Sequence, residues 1–266
     1  MRVAVIGKGG AGKSVIAGTM ARLVARQGTP VLALDSDSLP GMSLSLGSGP
    51  DPVEPPLLAA VERDETGRWG WREGVDATIA AQRFTTAAPD GVCLLQRGKV
   101  AGQGFRPIIG ASQAFWEVVH GLVDAPAFRD WALIGDLPAG PRQPAEDWAP
   151  YADAYLVVVQ PGSQSALTGR RVARLARLQS PEAAILFIAN RVQGEDDVRH
   201  VEELVGEPAF ASVPADEGVA AAERLGVAPI DHAPDSPTIA AIERLITAIA
   251  DSTAGVDGAL RRAPSI

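Results

Sequence analysis

Short apolar runs recur along the chain, each followed by a longer stretch whose apolar residues are spaced three and four apart. The runs at 3–6, 30–35, 91–95, 131–136, 154–161 and 183–192, with a shorter one ending near Val213, are apolar without alternation, which predicts strands buried on both faces. Between them, residues 13–27 predict a helix with Ile16, Met20, Leu23 and Val24 at core spacing and Gly28 as its cap. Further helices are expected around 111–124, after residue 161 and over 237–250, the last placing Ile239, Ile242, Leu245, Ile246 and Ile249 on one face. In the helix after 161, which carries Arg170, Arg171, Arg174 and Arg177, Val172, Leu175 and Leu178 are assigned toward the core, and positions 170, 174 and 177 share one face, read as solvated, with docking of an acidic partner or DNA as the alternative. This alternation predicts α/β architecture: a single doubly wound, mostly parallel sheet of about seven strands with helices on both faces, occupying residues 1–250. Residues 251–266 read as a loose tail. Residues 47–90 carry the weakest pattern: a proline-rich extended loop, a short helix at 57–63 and a tight aromatic turn at 68–72, with Trp69 and Trp71 read chiefly as cover for a core edge.

The strongest chemical signal sits between the first strand and the first helix, where residues 7–14 read GKGGAGKS. The pattern fits the phosphate-cradling P-loop. Glycines let successive main-chain N–H groups from Gly9, Gly10, Ala11, Gly12, Lys13, Ser14 and Val15 turn inward on an anion, and the helix N-terminus adds partial positive charge. Lys13 would reach the β- and γ-phosphates, and the Ser14 hydroxyl would ligate a Mg²⁺ that bridges them. A nucleotide polyphosphate with Mg²⁺ is the ligand expected; that it is ATP or ADP rests on family resemblance alone.

Composition narrows what such a site serves. With 46% hydrophobic residues in 266, the chain can fill a two-sided sheet core, and its net charge of −8 argues against non-specific nucleic-acid binding. One cysteine excludes an intrachain disulfide framework or a CxxC metal site. Cys93 itself lies in an apolar strand run and reads as an inert thiol. The chain opens on a strand, and no apolar run approaches ~18 residues, so a soluble cytoplasmic protein is expected.

Lys8, directly after Gly7, makes the loop resemble the deviant Walker A signature of the ParA/MinD superfamily, which includes the nitrogenase iron protein and CooC-type accessory ATPases. In that family the early lysine reaches the partner's nucleotide, so the resemblance implies an ATP-dependent homodimer in which Lys8 and Lys13 stabilise charge during phosphoryl transfer. The stretch from Asp35 to Pro40 resembles the family's switch I. That resemblance assigns Asp37 to orienting the attacking water, although the proline comes later than the family's pattern places it. Residues 131–140, ending in Asp136-Leu-Pro-Ala-Gly140, resemble Walker B and switch II. They imply Asp136 as a water-mediated Mg²⁺ ligand and the Gly140 amide as a γ-phosphate sensor. Asn190 is assigned by the same resemblance to the adenine ring, and Pro214 and Asp216 to the base and ribose loop.

The resemblance spans residues 1–250 and is closest to CooC-like accessory ATPases that mature a metalloenzyme. It departs from them where Gly102, Gln103 and Gly104 stand in place of metal-bridging cysteines. The function expected is an ATP-driven homodimeric switch acting on an unidentified client. The alternatives are a ParA/MinD-type positioning ATPase and a sensor that binds nucleotide but barely hydrolyses it. The final helix has Arg244 as its only cation, which favours packing on the sheet over a membrane.

Overall fold

The computed structural model describes residues 1–38, 41–49, 51–52, 54–99 and 106–260. Strand β1 (Arg2–Gly7) leads through the P-loop into helix α1 (Lys13–Arg26), then β2 (Val31–Asp35) and α2 (Met42–Leu46). A hairpin of β3 (Val61–Arg63) and β4 (Trp69–Trp71) precedes α3 (Ala77–Arg83), β5 (Thr86–Ala87), β6 (Cys93–Gln96) and α4 (Arg106–Gly121). The remainder runs β7 (Ala132–Asp136), α5 (Arg142–Ala145), β8 (Ala154–Val159), α6 (Ser163–Gln179), β9 (Ala184–Val192), α7 (Glu195–Val205), β10 (Ala211–Pro214), α8 (Glu217–Leu225), α9 (Pro229–His232) and α10 (Pro237–Leu260).

The main sheet has the order β10-β9-β8-β1-β7-β2-β6-β5. Every pairing in it is parallel except β5 with β6. Each strand sends alternate side chains to opposite layers. Val3 and Val5 of β1 join Ile16 and Met20 of α1 and Ile242 and Leu245 of α10, whereas Ala4 and Ile6 join Phe115 and Val118 of α4 and Val172 of α6. Two cores on the two faces of one sheet explain why the strand runs lack alternation. The winding reverses direction at β1, and the carboxyl ends there open the crevice where such sheets take ligands.

Several expectations change. Among the described residues the main sheet holds eight strands, because the two-residue β5 adds an antiparallel edge. The turn expected at 68–72 is a strand: Trp69 and Trp71 pair with Arg63 and Val61, and both rings lie partly buried against the core. The helix expected at 57–63 is a 3-10 turn (Pro56–Ala60) running into β3. Leu178 is 71% exposed, not inward as its spacing suggested, because it falls beyond the last residues of α6 that face the sheet. Helix α10 continues to Leu260, ten residues past its expected end. Among the described residues no helix is long and apolar enough to cross a membrane.

Candidate nucleotide site

The loop between β1 and α1 takes a shape that only small residues permit. Gly7 has φ 151°, and a Cβ there would stand 2.5 Å from the Val158 carbonyl oxygen. Gly12 closes the loop at φ 94° and begins α1. Side chains from the neighbouring strands brace it: Gln160 Nε2, just beyond β8, donates to the Gly10 carbonyl at 3.1 Å, and Asn190 Nδ2 in β9 donates to the Ala11 carbonyl at 2.6 Å. Lys13 is buried and its Nζ lies 3.5 Å from the Lys8 carbonyl, while the Lys8 side chain is exposed.

Beside the loop, Ser14 Oγ donates to Asp136 Oδ2 at 2.5 Å. Asp136 ends β7 at 2% exposure, and its Oδ1 has no hydrogen-bond partner among the described residues. Burial pushes its carboxyl up to about 6, although the Ser14 hydroxyl and the Lys13 charge pull the other way. Asp35, paired with Asp136 across β2 and β7, is fully buried; burial first, and then the neighbouring Asp136, raises it well above the usual carboxylate range. Its two oxygens accept the main-chain N–H groups of Asp37 at 3.1 Å and Met42 at 3.2 Å. Asp35 thereby braces the segment that carries Asp37, which is half-buried. Gly41 packs against Ser14 so closely that a Cβ would lie 3.0 Å from Oγ.

A hydroxyl and a carboxylate with a spare buried oxygen form a hard donor set suited to Mg²⁺, which accepts few protein ligands and completes its shell with water and phosphate. Among the described residues no three His, Cys, Asp or Glu side chains gather into a metal group. Cys93 is half-buried in β6. The loop with Gly102, Gln103 and Gly104, and Pro40 of the switch, lie outside the described residues.

Two cavities meet over the start of α1. One, of about 250 Å³, is walled by Asn190, Pro214, Asp216 and Val219; the other, of about 210 Å³, by Lys13, Ser14, Gly41 and Leu44. The base-side residues are partly committed. The Pro214 carbonyl accepts from Thr238 Oγ1 at 2.9 Å, and Asp216 Oδ1 caps α8 through the Val219 N–H at 3.0 Å. Gly140 (φ 99°) lies past β7, and Ala139 beside it packs on Gly9.

Four side chains at the site carry no sequence motif. Ser36 and Gln143 form a reciprocal pair, Ser36 Oγ donating to Gln143 Oε1 at 2.6 Å and Gln143 Nε2 to the Ser36 carbonyl at 3.1 Å. Arg97 donates to that same carbonyl at 3.3 Å while its guanidinium lies 5.4 Å from the Trp148 ring centroid. Gln160 is the fourth. Only the position of Ser36 between two aspartates and of Gln160 at a strand end hinted at their place.

Residues 3–230 match the CobQ/CobB/MinD/ParA nucleotide binding domain. An uncharacterised ATP-binding protein of Methanocaldococcus jannaschii is 28% identical over 244 residues, which cover 85% of this chain and 90% of that protein. The carbon monoxide dehydrogenase accessory protein CooC of Rhodospirillum rubrum is 26% identical over 246 residues, covering 88% and 91%. Among solved structures, the cell division ATPase MinD of Pyrococcus furiosus shares the fold with a TM-score of 0.70 at 24% identity, covering 94% of this chain and 98% of that one. MinD of Pyrococcus horikoshii, in complex with Mg-ADP, gives 0.66 at 21% identity, covering 96% and 97%.

Proposed function

Because the chain belongs to the CobQ/CobB/MinD/ParA nucleotide-binding family, we propose that it is a magnesium-dependent ATPase that pairs with a second copy of itself around ATP and uses hydrolysis to switch its hold on a client protein. The observation that carries this reading is Ser14 Oγ at 2.5 Å from Asp136, whose second oxygen is buried and without a hydrogen-bond partner among the described residues, beside the glycine-rich loop. Ser14 directly and Asp136 through water would hold Mg²⁺, which would supply charge neutralisation to the phosphates. Main-chain N–H groups of Gly9, Gly10, Gly12, Lys13, Ser14 and Val15 donate to the phosphates, the Ala11 N–H being engaged by the Lys8 carbonyl at 3.2 Å, and the buried Lys13 ammonium offsets charge on the β- and γ-oxygens. Asp37 orients the attacking water, and the Gly140 amide responds to the γ-phosphate. The Asn190 amide has two N–H groups and one carbonyl, so after bracing Ala11 it keeps one donor and one acceptor for adenine. Pro214 and Asp216 border the base. Lys8, exposed at the mouth of the loop, is free to reach the other copy's nucleotide.

The name of the CooC relative supports a metalloenzyme under maturation as the client. The single cysteine, Cys93, makes shared metal carriage through paired thiols at 102–104 impossible, so the role suggested is mechanical. A positioning ATPase is the second reading, favoured by the exposed, adjacent Arg170, Arg171 and Arg174 on α6. Salt-dependent binding of duplex DNA by the ATP-loaded protein would select it.

Turnover assays and gel filtration test the first reading. Phosphate release should require Mg²⁺ and fall by about 100-fold or more in Asp37→Ala. Lys8→Ala should bind ATP yet stay monomeric. Calorimetry in Mg²⁺ that registers no heat from ATP or ADP would overturn the reading.

A further inference from the structure

Arg191 is held in an unusual way. In the ladder between β9 and β10, Asn190 pairs with Val213 and Val192 with Pro214, so Arg191 is skipped as a bulge. Its backbone is left-handed at φ 59°, a conformation that costs a non-glycine residue energy and persists where surroundings enforce it. Bulges of this kind re-aim a side chain out of the strand's regular alternation, and they gather beside binding sites. Here the re-aimed guanidinium reaches Glu223 Oε2 on α8 at 3.4 Å.

That ion pair stands on the boundary between the two cavities. Gly12, Val15, Arg191 and Glu223 line both of them; the base-side residues line one alone, and Lys13, Ser14 and Gly41 the other alone. A ligand with one end at Asn190 and the other at Ser14 would run along the residues common to both cavities, Arg191 among them. The pair is long and both partners are about half exposed, so water screens it and little holds it shut. A phosphate offers the planar guanidinium two oxygens and more charge than Glu223 does.

We propose that Arg191 is a nucleotide-specificity residue held in reserve: Glu223 parks it across the cavity boundary, and an arriving nucleotide takes it over through the phosphate nearest the ribose. The inference rests on the nucleotide reading above and adds to it a residue, a phosphate and a competitor. The competitor fixes a sign, because Glu223 and the nucleotide contend for one cation. Removing the carboxylate charge tightens binding, and removing the arginine weakens it.

The test uses the full chain and fluorescent N-methylanthraniloyl derivatives of ADP and adenosine, with thermal melts of each variant. Arg191→Gly suits the left-handed position, so it should melt no lower than wild type and yet bind the ADP probe about five- to tenfold more weakly. Its affinity for the adenosine probe should not change, since no phosphate is present to meet the guanidinium. Glu223→Gln should bind the ADP probe about two- to fivefold more tightly, a gain that shrinks with added salt. Arg191→Gly binding the ADP probe as wild type does would overturn the inference, as would Glu223→Gln weakening it. A wild type that binds the ADP probe while the variants fail these expectations sinks this inference alone; a wild type that binds no nucleotide sinks the reading beneath it.

Discussion

The Asn190 side-chain amide stands against Gly12, its nitrogen donating to the Ala11 carbonyl at 2.6 Å and filling the place a Cβ on residue 12 would need. The residue assigned to the base and the residue that opens the phosphate helix are thus one packed unit. In Gly12→Ala the new methyl must displace the amide and also take φ 94°. We expect a loss of about 2 kcal/mol in stability by denaturant melts and no measurable nucleotide binding by calorimetry, since both ends of the site move together.

Asp136 supplies a pH signature in the ligand-free protein. Its carboxyl titrates near 6 in the fold and near 3.8 when unfolded. Between those values the unfolded chain releases a proton that the folded chain retains, so this group's contribution to stability falls as pH rises through that window and is level above it. Asp136→Asn removes the effect while Ser14 keeps an acceptor. With magnesium chelated, the variant should therefore match wild type near pH 4 and exceed it by on the order of 2 kcal/mol above pH 6. Melting curves at stepped pH check this, and magnesium nucleotide should reverse the order.

The P-loop, the Asp136 strand end and the Asn190 strand end were legible because each couples a buried apolar run to a polar residue at its carboxyl end, a pattern that survives without knowledge of contacts. The hairpin was not: Trp-Gly-Trp and its partner Val61-Glu-Arg span three residues each, too few to show a period, even though Asp64 and Gly67 between them carry turn chemistry. Arg191 was invisible for a different reason. A bulge is a mismatch between two strands distant in sequence, and nothing local to either records it. Asp35 was legible as a residue near the site. Its task of accepting two main-chain N–H groups depends on a loop conformation that spacing does not encode.

Arg22 ties α1 to three other segments. Its guanidinium, 3% exposed, donates to the Leu46 carbonyl at 2.9 Å, to both oxygens of Asp231 at 2.8 Å, and to Asp90. Arg22→Met should cost about 3 kcal/mol in chemical denaturation, toward the low end for a broken buried pair because Asp231 is half exposed. Burial works to raise the Asp90 carboxyl, but the hydrogen bonds from Arg22 and Arg26 outweigh it and hold the group below its ordinary range. Stability gained from Asp90 is present above its unfolded value and lost as pH falls toward its folded one. The gap between wild type and Arg22→Met should accordingly narrow below about pH 4.

Trp69 of the hairpin lies flat on Gly110 of α4, where a Cβ would stand 2.6 Å from the indole. Gly110→Ala should push the hairpin off the helix at a cost of about 1–3 kcal/mol. Tryptophan emission should shift to the red while the affinity for ADP stays at its wild-type value, because the nucleotide cavities share no residue with this contact.

Ser36 and Gln143 grip each other with two hydrogen bonds, both partners buried. One belongs to the segment after β2 and the other to the helix after β7, so neither segment can shift while its counterpart stays still. Under the function proposed above, a displacement that began at either segment would be carried into the other as one coupled step rather than two independent ones.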